Sequence, residues 1–283
     1  MKPSTIATLT FGAAVVLASA VNGPVHAEDG PRPSAKVLAC AKKALSPADM
    51  KALTSGAFNS ISDSGFIAAS TCFFTNGRTS KLKISPSAKV IVASPFDPAP
   101  VVALTKFRSC TGHDYSGLNI VGHRERDRSM KTYVDTAIPV DQAHAITAVA
   151  PFDGTIGITS SESGFGQQMT ITNPKGWIFT YFHGDPLVTA GATVKAGSPV
   201  IAFPPAEKPT DPTMKETSFD MALQAASGQR DNLFAHMAPQ AAAPWTARGF
   251  TAATTQFSQA QRDAAPCANY TFDPSSDQFI HAR

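Results

Sequence analysis

The chain has 283 residues, 43% of them hydrophobic and 16% charged, with a formal net charge of +3. That is enough apolar material for one sizeable core, which excludes an extended or disordered chain. Acids and bases nearly balance, so no basic stripe or acidic tail points to nucleic acid or a polyanion.

Residues 1–27 carry Lys2, an apolar run from about Ile6 to Ala20, and the small-residue triplet Val25, His26, Ala27 before an acidic start. This is the three-part layout of a secretory signal peptide with cleavage after Ala27. The apolar run of about 15 residues is shorter than the roughly 20 a membrane span needs, and no later segment is long enough either. Cys40, Cys72, Cys110 and Cys267 then remain. An even count in an exported chain reads as two disulfides, with three possible connectivities. One of them, Cys40 to Cys267, would staple the C-terminal tail to the N-terminal part.

Segment 28–103 reads as a small α/β unit. Glu28 to Ser34 is polar and Pro-rich, hence loose. Ser46 as N-cap, Pro47 at the first helical position and Asp49 in the first turn predict a short helix. The stretches "FIAASTCFFTNGRTSKLKI" and "AKVIVASPF" read as strands around an Asn76-Gly77 turn. Segment 104–225 changes texture, with short runs of Val, Ile, Thr and Phe alternating with Gly, Pro and Asp turns, which predicts an all-β domain. "AITAVAPFDGTIGITS" predicts a hairpin at Asp153-Gly154, and "QQMTITNPKGWIFTYFH" a second one turning at Asn173 to Gly176. Gly191 and Gly197 bracket a short strand and suit backbone positions with positive φ. Segment 226–283 turns helical and Ala-rich, ending in a weakly structured tail that contains Cys267.

"SCTGHDYSGLN", Ser109 to Asn119, places Cys110, His113 and Asp114 within five positions. These are metal-ligand types, although an oxidised Cys110 offers no thiolate. His123 to Ser129, "HRERDRS", reads as a solvated charge cluster, and Trp177 and Phe179 as sheet packing.

Taken in order, "AVAPFDGTIG", "GFGQQMTITNPKGWIFTYFHGDPL" and "VTAGATVKAGSPVIAF" resemble the M23 (LytM, lysostaphin-type) peptidase domain, over roughly Phe107 to Leu223. The resemblance implies a mainly β, compact antiparallel fold and an exported zinc endopeptidase acting on peptidoglycan cross-links. It also implies a metal site of a His, an Asp four residues on, and the second His of a late H-x-H, with two further His assisting. Zinc needs three protein ligands and an open position for the water it acidifies.

Aligned residue by residue, Asp114 and Gly112 match, Cys110 falls where the first His belongs, and His183 falls at the catalytic His that closes the aromatic strand. Ser218 and Asp220 take the two slots of the missing H-x-H, on one face of a strand. The resemblance thus implies a metal set of Cys110, Asp114 and Asp220 with His183 and Ser218 as the catalytic positions. His113 is an alternative ligand after a register shift, Asp114 a turn cap, and His183 a buried packing histidine.

Three functions compete. The first is a non-catalytic exported module without a cofactor, binding peptidoglycan or a cell-envelope protein. The second is a zinc endopeptidase with an atypical ligand set. The third is a Ser/His/Asp hydrolase recruiting Ser218 and His183 with Asp220 or Asp185, which no G-x-S-x-G elbow supports.

Overall fold

The computed structural model describes residues 35–55, 57, 60–74, 84–162, 166–207, 214–226 and 228–283. The export signal read over residues 1–27 and the Asn76-Gly77 turn lie outside them.

Three helices come first: α1 (Ala35–Ala44), α2 (Pro47–Thr54) and α3 (Asp63–Phe74). At α2 the Ser46 side chain accepts from the Asp49 amide with Pro47 in the first turn, as the sequence leads one to expect. The strand reading of Phe66 to Phe74 is corrected to helix. Phe66, Ala69 and Cys72 are buried at helical spacing, and Ser62 caps the helix by accepting from the Gly65 amide at 3.0 Å. A disulfide between Cys40 and Cys72 ties α1 to α3. The strand expected in "AKVIVASPF" is also absent. This stretch makes only an isolated bridge, Ile91 to Met237.

The β part comprises β1 (Val101–Thr105), β2 (Gly117–Asn119), β3 (Arg124–Glu125), β4 (Thr132–Pro139), β5 (Ile146–Val149), β6 (Gly154–Glu162) and β7 (Gly166–Thr172). It continues with β8 (Trp177–Pro186), β9 (Thr193–Val194), β10 (Pro199–Phe203), β11 (Glu216–Ala225), β12 (Gln229–Asp231) and β13 (Phe279–His281). The fold is mainly β. The main sheet runs β13-β1-β4-β11-β8-β7-β6-β9, with β10 joining β5 to β8, and β12 joining β11 to the β2–β3 strip. All its pairings are antiparallel except β12 with β2.

The β7–β8 hairpin forms as read, with the Asn173 carboxamide accepting from the Lys175 and Trp177 amides and Gly176 at φ 83°. Gly191 and Gly197 both adopt φ 85°. The hairpin read at Asp153-Gly154 does not form. Strand β5 pairs with β10, and β6 with β7 and β9. Asp153 instead accepts from the Ala196 amide at 2.9 Å and meets Lys195 at 2.7 Å. Its turn residues serve a contact distant in sequence.

One apolar core fills the inner face of this sheet, with Trp177 and Phe179 buried in it. Phe203 and Phe219 stack at 3.9 Å, and Phe96 sits edge-on between Phe219 and Trp245. A second cluster packs the N-terminal helices onto β2 through Leu118.

"HRERDRS" is corrected from a solvated loop to a docking strip. Glu125 is fully buried and takes Arg108 at 2.6 Å and Arg128 at 2.8 Å. Arg124 stacks on Phe66 at 4.1 Å and donates to the Ile61 carbonyl. Buried guanidinium groups persist here because a carboxylate and carbonyls satisfy them.

The C-terminal segment holds α4 (Pro239–Thr246) and α5 (Gln259–Ala264), but its tail is not loose. Residues beyond Cys267 bridge Thr111 through Thr271 and then add β13 to the edge of β1. The suggested Cys40–Cys267 bridge is corrected. Cys267 is bonded to Cys110, and no cysteine is free. Among the described residues no helix is long and apolar enough to cross a membrane.

Candidate functional site

Three neighbouring strands build the site. Asp220 lies in the middle of β11, opposite Tyr133 of β4 and Phe182 of β8. Its neighbour Phe219 points into the core, so strand alternation turns Asp220 and Ser218 to the other face. Ser218 is half-buried and lies opposite Asp135.

On β8, register runs from Gly184 opposite Gln167 to Tyr181 opposite Met169, so β8 spends three steps where β7 spends two. This bulge re-aims the strand end. Tyr181 stays in the core, bonded to the Val149 carbonyl at 2.7 Å, while His183 brings Nε2 to 3.1 Å from Asp220 Oδ1. His183 lies at φ 71°, in the left-handed region, beside this bulge.

The residue that sequence reasoning missed stands at the centre. Lys131, just before β4, is 3% exposed, and its ammonium pairs directly with Asp220 Oδ2. His113 Nε2 lies 3.0 Å from the same Nζ, and its Nδ1 lies 2.9 Å from the Asp114 carbonyl. Because an ammonium only donates, His113 is neutral there. Its Nε2 accepts from Lys131 and its Nδ1–H donates to Asp114. The rings of Phe182, Tyr133 and Tyr115 close around Nζ at 4.7, 4.8 and 5.2 Å. A signal for Lys131 was present: strand alternation puts it on the same face as Tyr133, and a lysine so placed in a buried strand requires a carboxylate.

The electrostatics follow from burial and this pairing. Burial alone would raise the Asp220 carboxyl, but the Lys131 charge and the His183 hydrogen bond outweigh it and hold it at about 2. Burial would likewise lower Lys131, and Asp220 more than offsets that, keeping the ammonium charged well above the usual range. His113 is lowered, first by burial and then by the Lys131 charge. Burial pushes the Tyr133 phenol up to about 12.

The ligand set expected from sequence does not assemble. Cys110 is corrected as a ligand, since its sulfur is bonded to Cys267 and an oxidised sulfur supplies no thiolate. Asp114 caps a turn, accepting from the Ser116 amide at 2.8 Å and from the Ser116 hydroxyl. Among the described residues no group of three or more His, Cys, Asp or Glu side chains is placed to hold a metal ion. These residues do not fit a catalytic zinc. Asp220 is already neutralised by an ammonium, and its other oxygen is taken by His183. Asp185 pairs elsewhere, with His144 at 2.7 Å and the Ala206 amide.

Gly112 sits at φ 73°, and a Cβ there would meet the Tyr133 hydroxyl at 2.0 Å. Gly112→Ala therefore combines left-handed strain with a clash against a ring of the lysine cage. The expected loss is about 1–3 kcal/mol of unfolding free energy, read by urea denaturation, and an unchanged midpoint would contradict this packing.

No protein-family model matches the chain, and no curated protein matches it to significance. Solved structures do. One is Helicobacter pylori Csd3, with TM-score 0.35 and 13% identity, covering 54% of this chain and 37% of that one. A zinc-containing peptidase from Vibrio cholerae aligns with TM-score 0.36 and 16% identity, over 53% of this chain and 40% of that one. Pseudoalterin, described as an M23 metalloprotease from the deep sea, aligns with TM-score 0.34 and 12% identity, over 69% and 92%. The chain spans less than half the length of the first two.

Proposed function

We propose that the chain is an exported M23-like module that binds peptidoglycan peptide or a cell-wall enzyme partner without cleaving it. Two kinds of sequence observation support export and family: the three-part N-terminus and the ordered M23-like motifs. Two disulfides fit an oxidising compartment. The absence of cleavage rests on one observation, the Lys131 ammonium seated on Asp220. In the zinc mechanism a metal-bound hydroxide attacks the amide, and a carboxylate committed to a lysine is not offering itself to an ion. His183 and Ser218 remain at the rim as binding groups, His183 being 29% exposed at its side chain.

The test is incubation of the purified mature protein with insoluble peptidoglycan, with and without added zinc. The expected result is co-sedimentation, or retention of an envelope enzyme on the immobilised protein, with no soluble cross-link fragments by mass spectrometry. Zinc-dependent release of such fragments would replace this reading with the endopeptidase one. Absence of both peptidoglycan and envelope-protein binding would remove it.

A further inference from the structure

We propose that the Lys131 ammonium substitutes for a metal ion. It supplies the positive charge that buried Asp220 requires and takes the lone pair of His113, so the native pocket accepts no divalent cation, whereas a chain lacking this side chain accepts one.

The surroundings of Nζ carry the inference. A carboxylate oxygen and a neutral imidazole nitrogen both point at it, and the second carboxylate oxygen is held by another imidazole, that of His183. Oxygen from Asp and nitrogen from His are donors that a borderline transition ion takes readily. A lysine between them satisfies the Asp220 Oδ2 and His113 Nε2 lone pairs with one charge and leaves no ligand position open to exchange. The ammonium also keeps the donors apart. His113 accepts at 3.0 Å, whereas a zinc–nitrogen bond is about 2.0–2.1 Å, so the donors would close by about 1 Å around an ion. An ordinary structural ion pair needs Asp220 and Lys131 alone. It gives no reason for an imidazole lone pair aimed at the ammonium.

This inference deepens the non-catalytic reading and rests on it, but the two can fail separately. Cobalt(II) and zinc are titrated into the wild-type full chain, Lys131→Ala, and the double variant Lys131→Ala/Asp220→Asn. Cobalt absorption and the thermal midpoint are followed. Wild type is expected to show neither cobalt absorption nor a thermal shift. Lys131→Ala is expected to bind one equivalent of cobalt at least tenfold more tightly than wild type, and to recover thermal stability with zinc. The double variant, in which both charges are gone, is expected to fold and to lose that binding.

Equal affinity in wild type and Lys131→Ala overturns the inference, as does binding retained in the double variant. So does a Lys131→Ala chain that stays unfolded with zinc while the double variant folds. Failure of both variants to fold overturns it as well, by making Lys131 a packing residue whatever its charge. Any of these leaves the binding reading standing if wild type still retains peptidoglycan without cutting it. Zinc taken up by wild type together with cross-link cleavage would end both.

Discussion

Lys131→Met is expected to lower the unfolding free energy by about 3–5 kcal/mol, because it strands a fully buried carboxylate. The methionine keeps most of the lysine stem against Phe182, Tyr133 and Tyr115, so the loss reports charge more than packing. Lys131→Met/Asp220→Leu should recover most of it, since a buried pair replaced whole by apolar groups is often neutral.

The pH dependence changes sign between the two chains. In wild type the Asp220 carboxyl lies at about 2, below its ordinary value, so its contribution is full above about pH 4 and lost only as pH falls through 2. Lys131 is raised, so its contribution is full below about pH 10 and lost only as pH climbs through the raised value. His113 is lowered, and its contribution is full above about pH 6.5 and declines as pH falls toward its folded value. Wild type should therefore be less stable at pH 5 than at pH 7.5. In Lys131→Met the unpaired Asp220 is driven up by burial, and a raised carboxyl loses stability as pH rises, so that variant should be more stable at pH 5. Urea midpoints at the two pH values decide this. Slopes of the same sign in both chains would refute the pairing.

The second large effect is expected at the sulfur that the sequence offered as a ligand. Cys110→Ser/Cys267→Ser should cost about 2–5 kcal/mol. The bridge spans 157 residues against 32 for Cys40–Cys72, which by loop closure makes it worth about 1.4 kcal/mol more. It also anchors a strap. The Cys267 amide donates to the Asp127 carbonyl, Thr271 bridges Thr111, and Phe272 packs edge-on against Tyr133 of the lysine cage. The double serine chain should lose thermal stability and gain protease cleavage between about residues 264 and 272. Cys40→Ser/Cys72→Ser should loosen only the helices it ties. A tail equally protected in both variants would show that β13 alone holds it. A loss of bound metal on mutating Cys110 would revive the thiolate reading.

Much of the local structure was legible because it is encoded by single residues acting on their neighbours. Ser46-Pro47 fixes a helix start, Asn173 and Gly176 fix a turn, and Gly191 and Gly197 supply positive φ; each acts within a few residues. The errors share a cause as well. Phe66 to Phe74 is apolar and aromatic enough to suit either period, and its choice of helix depends on packing with α1 and the Cys40–Cys72 bridge. Asp153-Gly154 has turn chemistry, yet β6 found better partners in β7 and β9. "HRERDRS" looks solvated until Arg108, Asp63 and Ile61 arrive from elsewhere in the chain.

By itself the sequence determined the mainly β texture and the helix caps and turns, because identity and spacing are properties of one strand at a time. Only the tertiary structure decided what faces Asp220. Lys131 and Asp220 lie 89 positions apart, and nothing local binds one to the other. Pairing of β4 with β11 brings them face to face, and exclusion of water there turns an ordinary lysine and aspartate into the charge balance on which the site rests.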